Sequence, residues 1–303
     1  MSIINLPHDK MFKETFGDLD VTTDFLQNYL PKEILDIIDI NTLALQNGSF
    51  IESKLKDSYS DLLFYVQIGD KEGYLYFLFE QKSYKAEDIA FQLLKYMNQI
   101  WEQHIYKEKA ETLPIIIPIL FYHGESNWQE TKKVSDWIGG YHQFPAAIQK
   151  YVPDYDFLYY NFSKEGGEEV KGNPKLKAYL ELSRYIFIKN METFLEVMML
   201  VDELLHDDDS SYYDTVLIYI LSIRDDLPVE TVKERLTIEG RKRFMSIAEK
   251  LRSEGMEEGE RLGIKKEKMM VAKKLMQLKI DKKQIMEATD LTAEEIEQIK
   301  KEL

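Results

Sequence analysis

The sequence holds no cysteine, which excludes a disulfide framework and thiolate metal sites and fits a reducing interior. Its five histidines are scattered, so no zinc centre is expected. The N-terminus, MSIINLPHDKMFKET, lacks the basic start and apolar run of a secretory leader. Long hydrophobic runs are also missing. The most apolar stretch, Leu113 to Tyr122, is about half the length a bilayer span needs, and its β-branched content predicts a buried strand. No glycine-rich phosphate loop and no Ser–His–acid spacing stands out. These absences lead to the expectation of a soluble, cytoplasmic protein with no membrane partner.

What is present suits a folded chain. Of 303 residues, 44% are hydrophobic and 31% charged, enough for a sizeable core and too apolar for disorder. The net charge of −15 argues at first against nucleic acid, but it is unevenly spread. Residues 241–303 carry 16 basic and 13 acidic side chains, and residues 1–240 carry 23 and 41. Within the tail, Arg261 to Lys283 has nine basic residues against Glu267 and Asp281.

Pattern reading predicts a helix opening at Pro7-His8-Asp9, with Asp9 as its cap, and a second helix over 21–30 ending before Pro31. Asn47-Gly48 marks a turn. The stretch from Phe50 to Ser83 reads as strands, with 61–68 and 74–80 joined across Gly69-Asp-Lys-Glu-Gly73 as a hairpin. From Asp88 to Gln103 the period turns helical: Ile89, Leu93, Met97 and Ile100 form one stripe, and Gln92, Tyr96, Gln99 and Gln103 the next. Strands at 113–122 and 155–162 complete an α/β core over residues 1–165. Residues 166–250 read as helical: 175–190, 191–205, 212–224, and a long helix from about Thr231 toward Glu254. The run EGMEEGERLG then intervenes. Residues 251–303 form a basic helical tail ending in a helix–turn–helix-like pair, 281–288 and 292–303, with Thr292-Ala-Glu-Glu295 as a capping box. Paired helices are a common structural device and do not by themselves establish DNA binding.

Asp61 opens one hairpin strand and Glu80-Gln81-Lys82 ends the other. A four-residue loop pairs Ile68 with Gly73 or Gly69 with Tyr74, and thereby sets Asp61 opposite Glu80 or Lys82. A five-residue loop sets Asp61 against Gln81 and needs a bulge to gather the charges. Two carboxylates at a strand end suit Mg²⁺, with the Gln81 carbonyl as a further ligand and Mn²⁺ or Ca²⁺ as alternatives. Such an ion activates water and neutralises charge on a phosphate, while Lys82 orients the nucleophile or steadies the phosphorane. The competing reading is a solvated strand end with an ordinary cross-strand ion pair. Of the remaining polar residues, Asp9 suits capping, with His8 beside it as a second candidate for the site's border. Glu52 is an accessory acid or a surface residue, and His123 a satisfied histidine after a buried strand.

Several stretches resemble the Rpn (recombination-promoting nuclease) or YhgA-like family of the PD-(D/E)xK nuclease superfamily. They are HDKMFKETF at 8–16, DFLQNYLP at 24–31, SDLLFYV at 60–66, YFLFEQKS at 76–83, IAFQLLKYM at 89–97, PIIIPILFYHGESNW at 114–128, EGMEEGERLG, and the terminal DLTAEEIEQIKKEL. The likeness runs in order over nearly the whole chain. It implies a PD-(D/E)xK core, a mixed sheet flanked by helices, followed by an all-helical region. It also implies Mg²⁺-dependent DNA cleavage connected with recombination or phage defence. By position, Asp61 matches the motif aspartate, Glu80 the second acid, Lys82 the lysine, and Gln92 a polar residue that the following helix often supplies. Ser60 replaces the motif proline, and many relatives carry glutamine where this chain has Lys82. Strand transfer, which the word transposase suggests, has no support in these residues. The expected partners are DNA and a second copy, with dimerisation through the helical C-terminal region giving two cuts in a duplex. The alternative is a non-catalytic, oligomerising regulator on a nuclease-like fold.

Overall fold

The computed structural model describes residues 7–46, 62–80, 88–124, 128, 133–207 and 211–301, with only the backbone described at 78–80 and 301. Asp61, Gln81, Lys82, Glu52 and the Asn47-Gly48 turn lie outside these residues.

Three helices lead the chain: α1 (Pro7–Phe16), α2 (Leu19–Tyr29) and α3 (Lys32–Leu35). Then come β1 (Ile38–Leu45), β2 (Leu62–Ile68), β3 (Lys71–Glu80), α4 (Ile89–Tyr106) and β4 (Ile115–Tyr122). An excursion containing α5 (Ala146–Gln149) leads to β5 (Leu158–Asn161). The helical remainder is α6 (Pro174–Tyr185), α7 (Met191–Leu205), α8 (Tyr212–Ile223), α9 (Val229–Arg235), α10 (Ile238–Gln277), α11 (Lys282–Thr289) and α12 (Ala293–Lys301). Among the described residues, no helix is long and apolar enough to cross a membrane.

The strands form one mixed sheet in the order β1-β2-β3-β4-β5, antiparallel from β1 to β3 and parallel from β3 to β5. Both faces are covered, which is why β2, β3 and β4 read as nearly continuous apolar runs. On one face Leu63, Tyr74, Tyr76, Ile116, Leu120 and Tyr122 pack against the Ile89, Leu93, Met97 and Ile100 stripe of α4. On the other, Phe121 meets Phe12 and Phe16 of α1, Phe25 of α2 and Tyr179 of α6, and Phe77 meets Phe16 and Phe25.

The structure corrects the hairpin. Ile68 pairs with Lys71, so only Gly69 and Asp70 form the loop, and Leu62 stands opposite Phe77. Gly69 supplies the positive φ (58°) that a two-residue hairpin turn needs at its first position. Gly73 is a strand residue: a Cβ there would meet the Ile68 side chain at 2.4 Å. Neither four-residue pairing occurs. The first strand is also earlier than the pattern suggested. In Ile38–Leu45 the alternation is masked by a register shift between Asp39 and Ala44, where Thr42 Oγ1 accepts a bond from the Gln67 amide at 2.8 Å. Asp9 is no cap: it lies inside the first turn of α1 and is buried.

The chain divides into two compact units, Met1–Phe244 and Met245–Leu303. In the first, α8 packs on α1, with Tyr212 Oη 2.8 Å from Thr15 Oγ1. The expected helix from Thr231 is broken at Leu236-Thr237 for a visible reason. Buried Asp202 of α7 accepts bonds from the Thr237 amide (2.6 Å), Thr237 Oγ1 (3.0 Å) and Tyr213 Oη (2.7 Å), holding the residue from which α10 starts. Gly240 leaves room for that carboxylate, since a Cβ there would stand 2.0 Å from its Oδ1.

The glycine-punctuated run does not interrupt α10. Gly255, Gly259 and Gly263 are all helical, each costing about 1 kcal/mol against alanine, a penalty that strong helix formers around them can carry. In the second unit, Ala272, Ile285, Leu291, Ile296 and Ile299 join the end of α10 to α11 and α12. Asp281 caps α11, and the Thr292–Glu295 capping box forms as expected.

Candidate functional site

Strand β3 ends at Glu80, which lies in parallel register with Tyr122, the last residue of β4. Alternation puts position 80 on the face of Tyr74 and Tyr76, toward α4. On that helix Gln92 is half-buried and donates through Nε2 to Tyr96 Oη at 3.3 Å, and the Tyr96 ring lies 5.6 Å from that of Tyr76. Of the four expected catalytic residues, the structure describes the backbone at 80 and the whole of Gln92. Asp61, Gln81 and Lys82 fall outside the described residues. Among the described residues no group of three or more histidine, aspartate or glutamate side chains gathers to hold a metal.

The neighbourhood of these strand ends contains residues that the sequence reading did not single out. Trp128 packs edge-on against Tyr122 (5.1 Å), and its carbonyl accepts from Tyr159 Oη and from Asn161 Nδ2 at 3.1 Å. Tyr155 Oη donates to the Ala90 carbonyl in the first turn of α4. Burial pushes the Tyr155 and Tyr159 phenols well above their usual range, so both remain protonated donors. Their signal in the sequence was the aromatic density of the stretch before and within β5.

On the opposite face, one residue beyond Tyr122, His123 meets α1. Its ring is 5.5 Å from that of His8 and stacks on Phe187 at 6.0 Å, while His8 Nδ1 lies 2.7 Å from Tyr219 Oη of α8. Burial lowers His8 to about 4. It lowers His123 to about 3, with repulsion from His8 as a further cause. Both are neutral core residues at physiological pH and lie where α1, the end of β4 and α8 meet.

The tail's basic character is partly consumed within its own module. Lys265 pairs with Glu295 (2.8 Å), Lys268 with Asp290 (2.9 Å) and Lys282 with Glu297 (2.6 Å). The first turn of α12 carries Glu294 and Glu295, where the second helix of a DNA-reading helix–turn–helix would present base-contacting residues. Acidic side chains there oppose the approach of phosphates.

With a β3–α4–β4 unit presenting a glutamate at its strand end, the arrangement is that of an α/β protein with a mixed five-stranded sheet and a helical C-terminal part. Residues 6–212 match the family described as "Putative transposase, YhgA-like", and the chain belongs to that family. It is similar to three Escherichia coli proteins over most of its length. The recombination-promoting nuclease RpnA is 28% identical, covering 96% of each chain. The recombination-promoting nuclease RpnD is 27% identical, covering 82% of this chain and 95% of its own. The inactive recombination-promoting nuclease-like protein RpnE is 26% identical, covering 97% and 98%. No solved structure gives a significant match.

Proposed function

We propose that this protein is a metal-dependent DNA endonuclease of the PD-(D/E)xK type. The observation that carries the reading is Glu80 at the end of β3, followed in sequence by Gln81-Lys82 and by the helix that carries Gln92. Asp61 and Glu80, with the Gln81 carbonyl, would hold Mg²⁺, and Lys82 would position the attacking water. The ion would supply an activated water and neutralise charge on the scissile phosphate. Gln92, tethered to Tyr96, is suited to orient a phosphate oxygen or water by its remaining amide hydrogen and carbonyl. Because the chain is acidic overall, DNA must dock on a local basic surface, and affinity should fall steeply with salt. Recombination or phage defence are the settings that fit such cleavage.

A second reading has its own support: RpnE, which aligns over 97% of this chain, is named inactive. On that reading the fold serves regulation and the acidic strand end holds no ion. The intact Asp61…Glu80-Gln81-Lys82 set favours catalysis. Incubating the purified protein with supercoiled plasmid and Mg²⁺, beside folded Asp61→Ala and Lys82→Ala variants, separates the two. Cleavage lost in both variants supports the nuclease. An inert parent across Mg²⁺, Mn²⁺ and Ca²⁺, or variants that cut as well as it does, leaves the regulatory reading. A parallel RNA substrate distinguishes the nucleic acid.

A further inference from the structure

Large apolar side chains stand exposed along the excursion between β4 and β5. Trp137 is 53% exposed, Phe144 43% and Tyr151 79%, with Ile138 and Ile148 exposed between them. The segment takes its shape from its own polar groups. Two 3-10 turns, Val134–Trp137 and Tyr141–Gln143, lead into α5, and Gly140 between them has a φ of 74°. The Gln149 side-chain amide donates to the Tyr141 and Phe144 carbonyls at 3.2 and 2.9 Å. Apolar groups of this size displayed together mark a surface that meets a partner.

Charge indicates which partner. Trp137 to Pro153 is the longest stretch of the sequence without aspartate or glutamate, in a chain that has 54 of them and a net charge of −15. It contains His142 and Lys150, and Lys133 lies one turn earlier. The acids that bracket it are engaged locally: Asp136 accepts from the Lys133 amide at 2.8 Å, and Asp154 from the Ser135 amide at 2.9 Å. Lys133 and His142 face Asp156 (2.9 Å) and Asp136 (3.6 Å) only in exposed pairs of little strength. The Lys150 ammonium lies 5.2 Å from the Tyr151 ring centre, which sets a cation beside an aromatic face.

We infer that this surface binds an unpaired stretch of a DNA strand, with bases stacking on Tyr151, Phe144 and Trp137 and phosphates meeting Lys150 and Lys133. Aromatic faces beside cations are the means by which proteins hold single strands, and only unpaired bases offer a face to stack. A protein partner fits less well, because lysine is depleted where protein interfaces are dry. The position agrees. Ser135, at the root of the excursion, is bonded to Asp154; the next residue, Tyr155, donates to the Ala90 carbonyl in the first turn of α4, two residues before Gln92. A strand held here lies beside the turn that carries a candidate catalytic residue. The inference rests on the nuclease reading for the nature of the ligand and adds the form in which that ligand is held.

The test is binding of the full chain to a fluorescein-labelled oligothymidylate, followed by anisotropy in EDTA so that no cleavage intervenes. Tyr151→Ala and Phe144→Ala should each weaken binding by about 5–100-fold, while Tyr151→Phe, which keeps the ring, should bind as the parent does. An abasic strand of the same length should bind far less tightly than the oligothymidylate. Binding should quench tryptophan emission, and Trp137→Phe should remove most of that quench. A parent that does not bind, alanine variants as tight as the parent, or an abasic strand that binds equally well each overturns the inference. So do alanine variants that dissociate an oligomer in sedimentation while oligonucleotide affinity is unchanged, which would make the surface a protein interface. A parent that holds the strand in this way but never cuts plasmid keeps this inference without the nuclease. Plasmid cleavage unaltered by both alanine substitutions keeps the nuclease and removes this surface from it.

Discussion

Glu80 and Tyr122 stand side by side as the last residues of two parallel strands. The residue after Tyr122, His123, meets His8 of α1, and the next described element after Glu80 is α4, which carries Gln92. Parallel strand ends of this kind are where α/β sheets present ligands, because the connections there have somewhere to open.

If Glu80 holds the ion, Glu80→Gln should abolish plasmid cleavage with the fold intact, since an amide is a poor ligand for Mg²⁺. Gln92→Ala should weaken the rate by about 10–100-fold, and Tyr96→Phe by much less, as it leaves the amide of Gln92 in place and removes its tether at 3.3 Å. Single-turnover cleavage with titrated Mg²⁺ checks this. Equal losses at positions 92 and 96 would mean that the helix face acts by packing alone.

The Asp202 carboxylate organises the start of α10, so Asp202→Ala should be among the more damaging changes outside the site. It leaves the Thr237 amide and Tyr213 hydroxyl without their acceptor, a cost of about 2–4 kcal/mol. Gly240→Ala should act on the same joint by pushing a methyl onto that carboxylate. Urea denaturation of each single variant and the double variant should show strong non-additivity.

Buried neutral histidines make the first unit acid-sensitive. His8 has a folded-state value near 4 against 6.5 when exposed, so its contribution is full above pH 6.5 and is lost as pH falls toward 4. The whole loss for His8 is on the order of 3 kcal/mol, and His123 shifts in the same direction. Stability measured from pH 7 to pH 4 should drop with a slope approaching two protons. His8→Gln should flatten that slope, and an unchanged profile would remove His8 as its cause.

At the hairpin, Gly73→Ala should destabilise by about 1–3 kcal/mol through overpacking against Ile68. Glycine at 69 is needed for its backbone angle instead, so Gly69→Ala should cost about 1 kcal/mol and Gly69→Asn less. Thermal melts of the three variants separate the steric from the conformational requirement.

Much of this architecture was legible because periodicity reports burial. Ile89, Leu93, Met97 and Ile100 announced both the helix and the face it buries, and the run Leu113 to Tyr122 announced a strand covered on both sides. What escaped depended on partners far along the chain. Thr42 filling a register shift hid β1, and Asp202 reaching Thr237 moved the start of a helix. Counting glycines misled twice, since Gly73 serves a strand and Gly259 a helix. At the candidate site the sequence gathered Asp61, Glu80 and Lys82 on one hairpin face, and of these the structure describes only the backbone at 80. The Trp128–Tyr159–Asn161 cluster could not be foreseen, because its cohesion rests on a carbonyl.

The bond between His8 and Tyr219 joins residues 211 positions apart. At the ~5–20 residues per second of chain synthesis, roughly 10–40 s pass between the making of the two. Throughout that interval the first helix can settle on the sheet through Phe12 and Phe16, but its His8 side waits for the eighth helix to emerge.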